Sequence, residues 1–194
     1  MKNRTMPLKA LIIEDSDDDV WLLVDHLAQH GFEVSWRKVD TAEQLRLALT
    51  EPWDIIYSDY SLPSLLGDEA LTIIRECDMD IPVIFVSGTI GEETAVGLMK
   101  AGAQDYVMKN NIIRLAVATE REIMEAHQRQ QRKQAEQNLK KLSLVVEQAA
   151  DSVYITDTNG KIEYVNPAFE RLTGYKRDEA VGQNARFNTF RSRK

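Results

Sequence analysis

A single cysteine, Cys77, stands in the 194 residues. No internal disulfide is possible, and a reducing cytoplasm is the easier home. Cys77 ends an apolar helical face and reads as a packing residue. No apolar run approaches the roughly 20 residues that a membrane helix needs. The opening MKNRTMPLKALIIED has basic residues, but its apolar run is short and ends in acids, unlike a secretory signal. Positive charge is in deficit, with 24 Lys and Arg against 31 Asp and Glu and a net charge of -7. That balance excludes a general nucleic-acid surface, which needs a basic stripe. The three histidines, His26, His30 and His127, lie in helical stretches without evident metal-ligand partners, and none reads as a phosphodonor. There is no internal repeat and no low-complexity segment. The length accommodates one domain and a small second one.

What is present is an alternation. Short apolar, β-branched runs occur at Ala10–Ile13, Phe32–Val34, Ile55–Tyr57, Val83–Val86 and Tyr106–Met108. Between them lie helical patterns at i, i+3, i+4, i+7: Val20, Leu23, Val24, Leu27; then Ala70, Ile73, Ile74, Cys77; then Ala95, Leu98, Met99, Gly102. Thr41 to Thr50 is a weaker case, with Thr41 as its N-cap, and Gly31 and Gly102 stand where helices should stop. Such alternation predicts βαβ units: an α/β, doubly wound, five-stranded parallel sheet with helices on both faces. Ligands of such sheets sit at the carboxyl ends of the strands, where strand order reverses.

Polar residues gather at that rim. The first strand ends in Glu14 and Asp15, the third in Asp59, the fourth in Ser87 and the fifth in Lys109. Three bare carboxylates converging would repel one another. A hard divalent cation with oxygen ligands relieves this, and Mg²⁺ is the usual choice. The lysine offers a compact positive charge and Ser87 a hydrogen bond to a transferring phosphoryl group, a reaction that rests on positioning and charge neutralisation. Taken singly, Glu14 and Asp15 would merely start a helix, and Asp59 would be a loop carboxylate. The run Asp17-Asp18-Asp19 reads as a solvated cap rather than a ligand set.

The residues Glu14-Asp15, D-x-x-L-P from Asp59 to Pro63, Gly67, Ser87-Gly88, KAGAQDY at 100–106 and Lys109 resemble the receiver domain of two-component response regulators, of flavodoxin-like fold, over residues 8–125. The resemblance implies that Asp59 accepts a phosphoryl group from a phosphohistidine on a histidine kinase or phosphotransfer partner. It implies that Glu14, Asp15, Asp59 and the Ser61 backbone carbonyl hold Mg²⁺, that Lys109 pairs with phosphoryl oxygens, and that Ser87 and Tyr106 form a switch. A half-buried core role for Tyr106 is the plainer alternative. Glu14 where relatives often have Asp, Asn110 where many have Pro, and Leu66 before Gly67 depart from the pattern. The rival readings are a pseudo-receiver that binds partners unphosphorylated and an aspartate-dependent phosphatase. The second lacks a carboxylate two residues past Asp59, where Ser61 stands.

From Ile112 to about Ala150 the pattern predicts one long helix whose middle, HQRQQRKQ, has no apolar residue. Its linker portion is 126–141. Ala135, Leu139, Leu142, Val146 and Ala149 repeat in a 4-3-4-3 spacing, a short coiled-coil seam that favours a homodimer. Residues 142–194 change texture. DSVYITDTNGKIEYVN reads as a hairpin around Asn159-Gly160, and PAFERLTGY as a helix with Pro at its start. With Asp157, Asn166, Pro167, Phe169, Gly174 and Tyr175, this segment resembles the beginning of a PAS domain. The expectation is a truncated α+β module with an open edge, poorly ordered or paired with a second copy. The parent then resembles a sensory histidine kinase or diguanylate cyclase; no such catalytic motif and no helix-turn-helix occurs here.

Overall fold

The computed structural model describes residues 5–77, 80–88 and 91–185. The last residues of the PAS-like segment, 186–194, lie outside them. The chain divides into two compact units, Met1–Gln130 and Gln131–Lys194.

In the first unit, β1 (Met6–Ile13), β2 (Phe32–Val39), β3 (Ile55–Ser58), β4 (Val83–Ser87) and β5 (Asp105–Met108) form one sheet in the order β2-β1-β3-β4-β5. All neighbours pair in parallel. The helices between them are α1 (Asp17–Gln29), α2 (Ala42–Ala48), α3 (Gly67–Glu76), α4 (Glu92–Lys100) and the start of α5 (Ile113–Gln148). The doubly wound sheet is as the alternation of patterns predicts.

Side chains of successive strand residues point to opposite faces, and the two cores follow from that. Leu11, Ile13, Ile56, Val83 and Phe85 face one layer, where Leu45, Ala70, Ile74 and Leu98 from α2, α3 and α4 close it. Leu8, Ala10, Ile12, Ile55, Tyr57, Ile84 and Val86 face the other, against Val20, Leu23 and Leu27 of α1 and Leu115, Ala116 and Ala118 of α5. The central strands β3 and β4 are buried along their whole length, which is why they read as continuous apolar runs. The edge strand β2 is longer than its apolar run, since Ser35, Arg37 and Lys38 belong to it.

Caps fall where the sequence puts them. Thr41 Oγ1 accepts from Gln44 N at 3.4 Å, and Gly31 and Gly102 adopt φ of 92° and 109° after α1 and α4. Cys77 differs from expectation. It is exposed at the end of α3, because the apolar face there is completed by Ile73 and Ile74 one turn earlier.

The second unit takes in the last turns of α5, the antiparallel pair β6 (Tyr154–Thr156) and β7 (Ile162–Val165), and the short helices α6 (Pro167–Thr173) and α7 (Arg177–Ala180). Its small core is Ile162, Val165, Phe169 and Ala180. Asn166 is fully buried. Its Oδ1 accepts from Val153 N and Phe169 N, and its Nδ2 donates to Val146 O and Asp151 O. One amide thus joins the end of α5, the hairpin and α6, with Pro167 in the first turn of α6 as expected. The hairpin turn is wider than a two-residue Asn-Gly turn: Asp157 Oδ1 gathers Asn159 N at 2.9 Å and Lys161 N at 2.8 Å. The seam residues Leu139 and Leu142 stand exposed on α5.

Candidate functional site

Strand order reverses between β1 and β3, which neighbours β1 on the side away from β2. The chain leaving β1 carries Glu14 and the chain leaving β3 carries Asp59, so the reversal alone brings both carboxylates to one crevice. Lys109 follows β5 directly, at the head of a 3-10 turn Lys109–Asn111.

The three meet. Lys109 Nζ lies 2.9 Å from Glu14 Oε2, 2.8 Å from Asp59 Oδ2 and 2.6 Å from Asp19 Oδ2. Asp19 comes from the first turn of α1, where Ser16 Oγ accepts its backbone N–H at 3.3 Å. Reading the sequence missed it, because a third acid in a helix N-terminal run looks like dipole compensation. The usable signal is its place at the end of the first turn of α1, on the side of Val20 and Leu23 rather than of the exposed Asp17 and Asp18.

Glu14 is buried, and its Oε1 accepts the backbone N–H groups of Asp15 and Ser16, both at 3.2 Å. Burial pushes its pKa above the usual 4.5, with Lys109 opposing. Asp59 also suffers from burial, but the hydrogen bond and charge of Lys109, with smaller help from Ser61 N–H and the Ser87 hydroxyl, hold its carboxyl below the usual 3.8. Burial disfavours the Lys109 charge too. The hydrogen bonds to Asp19, Asp59 and Glu14 outweigh it and raise the ammonium above the usual 10.5.

The remaining expected residues are placed as follows. Ser87 ends β4, fully buried. Ser61 N donates to Asp59 Oδ1 at 3.3 Å. The loop carrying both folds back through a Ser61–Leu66 bridge and a Gly67 N to Tyr60 O bond of 3.0 Å. Gly67 must be glycine here, since a Cβ would sit 2.6 Å from Tyr60 Cδ2 and 2.8 Å from Phe85 Cε1. Tyr106 is half-buried against the α2–α4 core and its hydroxyl contacts Met108 Sδ. Asp15 is exposed, and its carbonyl accepts from Lys38 Nζ at 3.2 Å. The structure therefore brings Glu14, Asp59, Ser87 and Lys109 together and leaves the Asp15 carboxylate at the rim.

The donors are hard oxygens, the type that Mg²⁺ prefers. Among the described residues no three or more His, Cys, Asp or Glu are already gathered around a space for a metal ion. Lys109 stands at the centre instead. The set fits a hard cation in kind.

The arrangement is one ammonium among buried carboxylates at a topological switch point, beside a buried hydroxyl. A family model for the response regulator receiver domain matches residues 10–120, more than half of the chain. This chain belongs to that family. A second model, for the PAS fold, matches residues 140–186. The receiver chain is 28% identical to the sensor histidine kinase TmoS of Ectopseudomonas mendocina, over 86% of this chain and 20% of that protein. It is 34% identical to the transcriptional regulatory protein PrrA of Mycobacterium bovis, over 57% of this chain and 47% of that protein. The receiver chain thus spans less than half the length of these curated relatives. Among solved structures, the Francisella response regulator 1452 receiver domain superposes with a TM-score of 0.54 at 25% identity, over 61% of this chain and 98% of that one. NtrX from Brucella abortus gives 0.59 at 25% identity, over 67% and 30%. Among the described residues, no helix is long and apolar enough to cross a membrane.

Proposed function

We propose that this receiver takes a phosphoryl group onto Asp59 from a phosphohistidine on a histidine kinase or phosphotransfer protein. The observation that carries the proposal is the 2.8 Å contact between Asp59 Oδ2 and Lys109 Nζ at the crevice where strand order reverses. In the transfer, the phosphorus–nitrogen bond breaks as a phosphorus–oxygen bond to an Asp59 carboxylate oxygen forms. The electron pair of the broken bond returns to the imidazole. Lys109 holds Asp59 ionised, which keeps its oxygens nucleophilic, and can follow the charge onto the phosphoryl oxygens. Ser87, whose hydroxyl already helps to lower the Asp59 pKa, would donate a hydrogen bond there, and Tyr106, which pairs with Phe85 two residues before Ser87, would be its switch partner.

Glu14, Asp15, Asp59 and the Ser61 carbonyl would hold Mg²⁺, with Lys109 giving up part of its present contacts. When bound, the ion supplies positive charge to the transferring group. The domains we assign are a receiver at 8–125, a linker at 126–141 and a PAS portion at 142–194, acting in the cytoplasm. The exposed Leu139 and Leu142 support pairing of two copies through the α5 seam, and the likeness to TmoS supports a parent with sensory output. The receiver would promote its own phosphorylation and a slow loss of the group, without turning over a separate substrate.

Intact mass after incubation with acetyl phosphate and Mg²⁺ tests the reading. One phosphoryl addition is expected on the native chain, with none on Asp59→Asn and none without Mg²⁺. No addition to the native chain would leave the unphosphorylated pseudo-receiver, which the closed ring of contacts around Lys109 favours.

A further inference from the structure

An ammonium has three N–H donors, and in Lys109 all three are engaged, by Glu14, Asp59 and Asp19. A phosphoryl oxygen arriving at Asp59 can receive an N–H from Lys109 only if one of those contacts opens. They are not equal in this respect. Glu14 is held from its other side, by two backbone N–H groups on Oε1, and only 7% of its side chain is exposed. Asp59 is the acceptor itself, with 12% of its side chain exposed. Asp19 is the outermost, with 36% of its side chain exposed, and water can take over its carboxylate when the lysine leaves.

Its neighbours do different work. Ser16 caps α1, Asp17 binds Lys38, and Asp18 is exposed. Asp19 is the member of the acidic run that points into the crevice.

We propose that Asp19 is a positioning residue for Lys109: it holds the ammonium towards the rim and competes for it with the phosphoryl group taken up by Asp59. The inference rests on the phosphoacceptor reading of Asp59. A second consequence has the same sign. Asp19 adds a third negative charge around a single cation, so it also repels the anionic donor. Removing it frees one Lys109 donor and lowers that repulsion together. Uptake quickens, and the aspartyl phosphate, with one competitor fewer for the lysine, lasts longer.

The experiment compares the full chain with Asp19→Asn, Asp19→Glu and Asp18→Asn. Acetyl phosphate with saturating Mg²⁺ is the donor; acetate leaves as the new phosphorus–oxygen bond forms on Asp59. Asp19→Asn is expected to raise the uptake rate several-fold and lengthen the phosphoryl lifetime several-fold. Asp19→Glu should stay near the native values. Asp18→Asn, which changes the net charge equally, should also stay near them. A second readout needs no phosphoryl group or metal: the Lys109 Nζ nitrogen resonance of the free protein shifts in Asp19→Asn and not in Asp18→Asn.

Native uptake with Asp19→Asn unchanged or slower, or with Asp18→Asn giving the same gain, overturns the inference and spares the phosphoacceptor reading. So does an unmoved Lys109 resonance. Absence of uptake by the native chain overturns both.

Discussion

The hydroxyls of Tyr57 and Thr119 meet at 2.7 Å inside the otherwise apolar layer between the sheet and α5. Tyr57 lies two residues before Asp59, and burial pushes its phenol well above the ordinary 10. It is therefore a neutral partner at any working pH, tying β3 to the second turn of α5 (Ile113–Gln148).

Removing one partner strands the other. Tyr57→Phe and Thr119→Val should each lower stability by about 1 kcal/mol or somewhat more, the usual cost of a buried unsatisfied group. The double variant should cost less than the two singles added. Urea unfolding of the four proteins measures this, and strict additivity would show that the hydrogen bond contributes nothing.

Lys109→Met leaves Glu14 and Asp59 facing each other without a cation. A loss of about 2–3 kcal/mol is expected near neutral pH, towards the lower side of what breaking a buried ion pair costs because the site is partly open to water. The pH window follows from the directions of the shifts. Asp59 is lowered, so its contribution is present above about 3.8 and fades as pH falls through its folded value. Lys109 is raised, so its contribution is present below 10.5 and fades as pH climbs through its folded value. Glu14 is raised, so it acts with the opposite sign, costing stability as pH rises past 4.5. The stability gap between native protein and variant should hold through the neutral range and close at both ends; a gap that widens in acid would contradict this.

Glycine is required at one position and merely tolerated at another. Gly67→Ala forces a Cβ against Tyr60 and Phe85 and should cost about 1–3 kcal/mol, as overpacking does. Gly97, within α4 (Glu92–Lys100), has nothing within 4 Å of an added Cβ. Gly97→Ala should stabilise by roughly 0.5–1 kcal/mol through helix propensity. Thermal unfolding of the two variants separates these signs.

In the second unit, Asn166→Ala removes four side-chain hydrogen bonds, takes the acceptor from the Val153 amide and leaves the Phe169 amide only the backbone carbonyl of residue 166. A loss of about 2 kcal/mol or more is expected, since the N-cap alone is worth about 1. Hydrogen exchange should quicken at Val153 and remain unchanged at the amides of β3 and β4.

Much of this was legible in the chain. Period and punctuation gave the parallel sheet, because β3 and β4 are buried on both faces and read as pure apolar runs. The same logic shortened β2, whose outer face is wet, so Arg37 and Lys38 looked like loop. Glu14, Asp59, Ser87 and Lys109 were findable because each ends or follows a strand, and strands of one sheet share a rim. Asp19 was not, because helical phase within an acidic run decides which member turns inward, and the run itself looks uniform. Cys77 misled through the same cause: one residue of helical phase separates a packed position from an exposed one. The hairpin in 154–165 was read correctly, but its turn is shaped by Asp157, whose side chain replaces backbone bonds that a two-residue turn would make.

The helix α5 has another side when the protein is handled as a reagent. Between Gln130 and Lys141 every residue is exposed, and the ion pair of Arg132 with Glu136 is a solvent-facing contact of the kind worth only a few tenths of a kcal/mol. Arg132 and Lys133 sit in that stretch, so among the described residues brief digestion of the native chain with trypsin should cut there first. A single nick at that point would sort the molecule into a receiver piece and a PAS-fold piece, each of which can then be weighed, labelled and refolded by itself.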